Sequence, residues 1–285
     1  MLTKSIADDI NHHFRYGGMV VKLIWINIAV FLFVNLFYVV FSLAHYNALA
    51  EMPYNLLSIP LNFTSFLTKP WTILTYMFMH DGVMHILFNM LWFYWFGDVF
   101  VTYLNEKKIL PLYFIGGIAG AALALLAVNL IPALEAYKSQ PMVGASASVI
   151  AIVFASATIN PEHRFNLMFI GAVPLKYVAV VPLLIDIISI PKGNAGGYIA
   201  HVGGALAGYL YVKSLQRGFD ITGLFKRKSK VKMTYKNEEP NTTSSTRSKT
   251  EQQRVDEILD KIARSGYDSL TKEEKDFLFN YSKKS

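Results

Sequence analysis

No cysteine occurs in the 285 residues of this chain. That absence removes a disulfide framework, a thiolate metal site and a cysteine nucleophile, and it leaves the redox compartment open. Charge is scarce as well. Asp, Glu, Lys and Arg make up 16% of the residues, against about 25% in an ordinary soluble domain. What charge there is lies toward one end: of 27 Lys and Arg, 17 follow residue 212. The net +7 therefore describes mainly a tail, and the basic balance does not argue for a nucleic-acid partner. The opening segment, MLTKSIADDINHHFRYGG, is polar and mixed in charge, with no apolar core at the distance a secretory signal requires.

Long apolar runs take the place of charge. The first covers residues 23–44, with Asn27 and Asn35 as its interruptions. Its 22 residues are enough to cross a hydrocarbon layer of roughly 30 Å. Further runs cover 84–103, 109–131, 143–159, 177–190 and 199–215. The expected fold is an all-α membrane protein of six transmembrane helices. The fourth and fifth runs are short and rich in small or polar residues, which suits inner helices screened by neighbours. Loop charges give an orientation. Lys4, Arg15, Lys22, Lys107, Lys108, Arg164 and Lys176 fall on one side; Lys69, Lys138 and Lys192 fall on the other. The bias predicts a multi-pass protein of the cell membrane with both termini cytoplasmic. The connection 45–82 is long but apolar, as in PYNLLSIPLNFTSFLTKPW, and is expected to lie partly in the membrane interface.

Beyond residue 215 the character changes. FKRKSKVK at 225–232 is a basic run suited to anionic headgroups, and 236–250 reads as a disordered linker. Val255, Ile258, Leu259 and Ile262 then repeat at helical spacing. Thr271 with Glu274 forms a capping box for a last helix carrying Phe277 and Leu278. The expected division is a cytosolic N-terminal segment 1–20, a membrane domain 21–215, a basic linker 216–250 and a small cytosolic helical segment 251–285, without chemistry of its own.

Polar groups inside apolar spans are costly and tend to be functional. Ser146 stands near the start of the fourth run, in PMVGASASVI; His85 and Asn89 open the second, in MHILFNMLWFYWFG; His201 stands near the start of the sixth, in YIAHVGGALAGYLY. The three runs begin on the same, extracytoplasmic side. A serine hydroxyl needs a base to act as a nucleophile, and a neutral imidazole is the usual one. His201 and His85 both qualify. His85 and Asn89 are four residues apart, so they share a helix face and suit an oxyanion hole. Gly204-x-x-x-Gly208 follows His201 and allows close helix approach. A soluble hydrolase elbow lacks its final glycine and preceding strand here. A metal site of His80, His85 and His201 lacks an HExxH motif and has only Asp81 as a nearby carboxylate. No metal or cofactor is expected.

The ordered set resembles the rhomboid family of intramembrane serine proteases across roughly residues 20–215. It runs Trp71, His80, His85-x-x-x-Asn89, Gly144-x-Ser146, and Ala200-His201-x-x-Gly204-x-x-x-Gly208. The resemblance implies a six-helix rhomboid bundle using a Ser–His dyad without an acidic third member. It makes Ser146 the nucleophile and His201 the base, with His85, Asn89 and the Ser146 backbone N–H as oxyanion donors. His80 and Trp71 would be structural, and Gly144 and Ala147 would flank the serine. Gly204 and Gly208 would serve packing. Substrates would be transmembrane proteins, cut in or near a spanning segment at a site open to water on the extracytoplasmic side. Three positions depart from the pattern. Ala147 replaces a glycine after the nucleophile, Ile150 replaces an aromatic residue that packs on the imidazole, and Thr72 replaces an arginine after the loop tryptophan. Ser148 is an alternative nucleophile without the preceding glycine. A catalytically weak or dead client-binding relative is the rival reading. A transporter would need ionisable residues near mid-membrane, for which Asp186 and, less well, Asp98 are available.

Overall fold

The computed structural model describes residues 18–167, 171–220 and 246–282. Lys4, Arg15 and nearly all of segment 1–20 lie outside the described residues, as do the basic run 225–232 and most of the linker. The chain divides into two compact units, Met1–Arg227 and Lys228–Ser285.

Six longer helices build the first unit: α1 (Met19–Leu43), α2 (Val83–Tyr103), α3 (Ile109–Leu130), α4 (Ser146–Ile159), α5 (Leu175–Ser189) and α6 (Ala195–Gln216). Among the described residues, three helices are long and apolar enough to cross a bilayer: Met19–Leu43, Val83–Tyr103 and Glu106–Leu130. α4 has only 14 residues, about 21 Å of helix. Its short length fits its place, because α4 is the most enclosed element. Ala147, Val149, Ala151, Ile152, Val153, Ala155 and Ala157 are all buried. Most of these side chains are small, so neighbouring backbones come close. A Cβ on Gly204 of α6 would run into the Ala147 carbonyl oxygen, and one on Gly208 into that of Ala151. On the other flank, a Cβ on Gly120 of α3 would meet the Ala147 methyl at 2.6 Å, and one on Gly116 would overlap the Ala151 methyl. α4 is thus held between two glycine faces, where backbone contact and dispersion replace large side chains.

The connection from α1 to α2 is ordered by short helices at Asn47–Ala50, Met52–Leu57, Phe63–Thr68 and Thr72–Thr75. A two-residue strand β1 (Ile59–Pro60) pairs antiparallel with β2 (Pro141–Met142), just before α4. Buried hydrogen bonds fasten this connection to the bundle. The Tyr76 hydroxyl donates to the Gly117 carbonyl at 2.6 Å. The Tyr113 hydroxyl donates to the Met77 carbonyl at 2.8 Å, and accepts from Asn27 Nδ2 at 3.3 Å. Asn27, an interruption in the first apolar run, is therefore a satisfied polar tie in the core. Trp71 donates its indole N–H to the Leu56 carbonyl at 2.9 Å, joining two turns of the connection. Leu56, Phe63, Leu67, Trp71 and Leu74 remain exposed along it.

A second strand pair, after β1–β2, also departs from an all-helical expectation. Between α4 and α5, β3 (Arg164–Leu167) pairs antiparallel with β4 (Gly171–Pro174). Phe165 of β3 sits 5.6 Å from Trp95 and 5.1 Å from Phe96 between ring centroids, which anchors the hairpin on α2.

In the second unit, α7 (Thr246–Ser265) turns through Gly266 and leads to α8 (Lys272–Ser282). Val255, Ile258 and Leu270 form its buried contact, while Leu259 is exposed. The capping box is reciprocal: the Thr271 N–H donates to Glu274 Oε2 at 2.8 Å, and the Glu274 N–H donates to Thr271 Oγ1 at 3.3 Å. Lys261 adds an ion pair to Glu274 at 2.9 Å.

Two substitutions test this packing. Gly208→Val is expected to destabilise the first unit by about 1–3 kcal/mol or more, because its side chain overlaps α4 backbone that cannot swing away; thermal unfolding in detergent measures it. Thr271→Ala is expected to cost about 1 kcal/mol of helix stability in the second unit, read as faster amide exchange confined to the first turn of α8.

Candidate active site

Ser146 is the first residue of α4, and Ala145 is its N-cap. The first backbone N–H groups of a helix have no intrahelical partner and attract negative charge. Those at Ser146 and Ala147 are of this kind. The turn before them is set by Gly144, whose φ of 133° is strained for any residue with a side chain. Its N–H donates to the Tyr76 carbonyl at 3.0 Å. A Cβ at Gly144 would sit 3.0 Å from His85 Nε2 and 3.5 Å from Ser146 Oγ. The bare glycine thus leaves open a small volume bordered by both groups.

His201 lies two turns into α6, on the side that faces α4. Its Nε2 is 2.7 Å from Ser146 Oγ, so the residues 55 positions apart meet. Its Nδ1 is 2.7 Å from Asp186 Oδ2, on α5. This second bond gives the imidazole an acidic neighbour that the resemblance did not imply. The turn at 190–194 folds α5 back onto α6 and brings residues 186 and 201 to the same level. The sequence signal was the isolated acid itself: a carboxylate in an apolar run needs a partner. The carboxylate that a transporter would require is thereby accounted for. Asp98 is exposed and borders a different cleft, with Tyr94 and Glu106.

The remaining site residues fall as follows. His85 and Asn89 line the same cavity as Ser146 and His201. One Asn89 N–H donates to the His85 carbonyl at 2.9 Å, within α2; the amide has a second N–H. The cavity measures about 420 Å³, is bordered also by Trp92, Ile150 and Pro182, and is open at one side. Ser148 faces the other way. It is fully buried, its hydroxyl has no hydrogen-bond partner, and it does not border the cavity. Ala147 directs its methyl at Gly120 of α3, so the additional carbon is absorbed by helix packing. Thr72, at the departure after the loop tryptophan, is buried and donates its hydroxyl to the Lys69 carbonyl at 2.6 Å. Among the described residues there is no group of three or more His, Cys, Asp or Glu able to hold a metal ion.

His80 lies in the turn leading into α2. It is buried, neither ring nitrogen has a partner, and its ring meets His85 edge-on with centroids 5.1 Å apart. Burial, with His85 nearby, pushes its pKa down from the ordinary 6.5 to about 3.

The rhomboid domain model matches residues 67–217, which include all of these groups. The chain belongs to the rhomboid family. A separate model, a family of unknown function (DUF6576), matches residues 244–284 and so covers the helical hairpin of the second unit. Among curated proteins, the chain is 27% identical over 158 residues to RHOMBOID-like protein 12, mitochondrial, of Arabidopsis thaliana, covering 52% of this chain and 47% of that protein. It is 26% identical over 138 residues to Presenilin-associated rhomboid-like protein A, mitochondrial, of Danio rerio, covering 47% and 35%. It is 25% identical over 154 residues to Rhomboid protease GlpG of Haemophilus influenzae, covering 50% and 69%. The chain thus spans half or less of the length of the first two relatives.

The neutral His80 gives a pH dependence with a definite sign. Its folded pKa is lowered, so the unfolded chain binds more protons between about pH 3 and 6.5. The stability contribution is complete above the unfolded value of 6.5 and is lost as pH falls toward 3. Inside that window the slope approaches about 1.4 kcal/mol per pH unit. His80→Phe, which keeps a ring but cannot protonate, is expected to flatten this part of the unfolding-against-pH curve.

Proposed function

We propose that this rhomboid-family membrane protein is an intramembrane serine endopeptidase that cleaves transmembrane proteins in or near their spanning segments. The observation that carries the reading is the 2.7 Å approach of Ser146 Oγ to His201 Nε2 inside a mostly apolar bundle. The hydroxyl attacks the scissile carbonyl as Nε2 takes its proton. Negative charge develops on the carbonyl oxygen, and the helix-end N–H of Ser146, with His85 and the free N–H of Asn89, stabilises it. His201 then protonates the leaving amine, and water releases the acyl group from Ser146. No cofactor takes part. Both catalytic side chains are present and in contact, which weighs against a dead client-binding relative.

All six helices of the first unit cross the bilayer in this reading, α4 as a short inner span. The loop-charge bias supports cytoplasmic termini in a cell membrane and a site opening extracytoplasmically. The exposed Leu56, Leu67 and Trp71 of the 44–82 connection support its seat in the interface. The helical hairpin of the second unit is then a cytosolic appendage.

Ser146→Ala and His201→Ala are each expected to abolish cleavage of a transmembrane model substrate in liposomes without loss of fold; residual cleavage by the double variant would refute the reading. A fluorophosphonate probe is expected to label Ser146 and not Ser148, as peptide mapping would reveal. Asn89→Ala is expected to lower kcat by roughly 10²-fold, with KM little changed, because its donor is needed mainly in the transition state.

A further inference from the structure

We infer that Asp186 is a positioning residue for His201, so that this chain works with a Ser–His–Asp set rather than a pair; the inference rests on the peptidase reading above. Three observations carry it. Asp186 Oδ2 lies 2.7 Å from His201 Nδ1 while the opposite ring nitrogen holds Ser146. Both side chains are only 18% exposed, so the contact is shielded from bulk water. Asp186 lines the cavity, whereas Val181, Leu184 and Ile185 beside it on α5 point outward.

The need for such a residue is visible in the same cavity. Position 150, one turn after Ser146, is an isoleucine, so no aromatic ring stands there to hold the imidazole. The ring contact that His201 makes is with Tyr198, edge-on at 6.5 Å. Two hydrogen bonds at opposite corners of the ring fix its plane instead. They also fix the tautomer. A carboxylate only accepts, so Nδ1 carries the proton and donates it to Asp186. Nε2 is left with its lone pair directed at the Ser146 hydroxyl. When Oγ attacks, its proton moves to Nε2 and the ring becomes an imidazolium. Asp186 balances that charge without taking a proton, and the Nε2 proton later leaves with the amine. Asp186 touches neither peptide nor oxyanion; it acts through His201.

The same bond could merely tie α5 to α6, and the test separates the two roles. It uses the full-length chain in liposomes with a fluorogenic transmembrane substrate. Asp186→Asn is expected to lower kcat on the order of 10²–10⁴-fold, the scale seen when soluble enzymes of this kind lose the acid, with KM changed less than about threefold. Its thermal unfolding should stay near that of the wild type, and Asp186→Glu should recover a measurable part of kcat. Nitrogen-15 resonances of labelled histidine in the unmodified protein, assigned through His201→Gln, should show Nδ1 protonated and Nε2 bare. Turnover of Asp186→Asn within about threefold of wild type, or a wild-type His201 that carries its proton on Nε2, overturns the inference while leaving the peptidase reading intact. If Asp186→Asn fails to fold, the wild-type resonances decide alone. Absence of any Ser146-dependent cleavage by the wild type removes the peptidase reading, and this inference with it.

Discussion

The arrangement depends on how closely α6 can lie against α4. Gly204 and Gly208 bring the α6 backbone onto the Ala147 and Ala151 carbonyls, with no room for even one carbon between them. His201 stands one turn before that contact, and Ser146 begins the helix that receives it. Neither side chain is long enough to cross a gap filled by ordinary side chains. The hydrogen bond between them is thus a consequence of backbone approach, and the apolar surroundings set its environment. In a bilayer, helix association gains little from the hydrophobic effect. Small residues that allow dense backbone contact then become the main means of fixing geometry.

Around that contact, polar groups are placed by secondary structure rather than by long flexible side chains. The serine opens a helix, where unpaired N–H groups collect. His85 and Asn89 share one face of α2, and Asp186 reaches His201 from α5. Four helices therefore supply one cavity, and each supplies its groups near one end of the bundle. The buried polar atoms outside this set are mostly satisfied, as at Asn27, Tyr76 and Tyr113. Among the described residues, the unpartnered buried side-chain atoms belong to His80 and Ser148. Each of them adjoins a residue that borders the cavity.

Much of this was readable in the residue order. The apolar runs marked six helices because apolar length is a strong signal, although α1 and α6 begin four residues earlier than the runs. The glycine spacing pointed to the α6 face, and the i, i+4 spacing of His85 and Asn89 pointed to a shared direction. Asp186 escaped because its meaning depends on a tight turn between two helices, and no periodicity reports that. A lone acid in an apolar stretch looked like an ion-coupling group until its neighbour was known. The β3–β4 hairpin also escaped: four-residue strands are too short for alternation to be read, and their anchor, Phe165 on Trp95 and Phe96, is distant in sequence. The capping box at Thr271 was readable because both partners lie within one helical turn.

Tyr76 holds the turn before Ser146 from two directions. Its carbonyl accepts the Gly144 N–H, while its hydroxyl is bonded to Gly117 in α3. Fixing one residue's backbone costs about 1–2 kcal/mol of conformational entropy. For the segment 141–145 that cost is met when the protein folds. The turn that presents Ser146 is therefore already shaped before anything enters the cavity, and no binding energy is spent on ordering it.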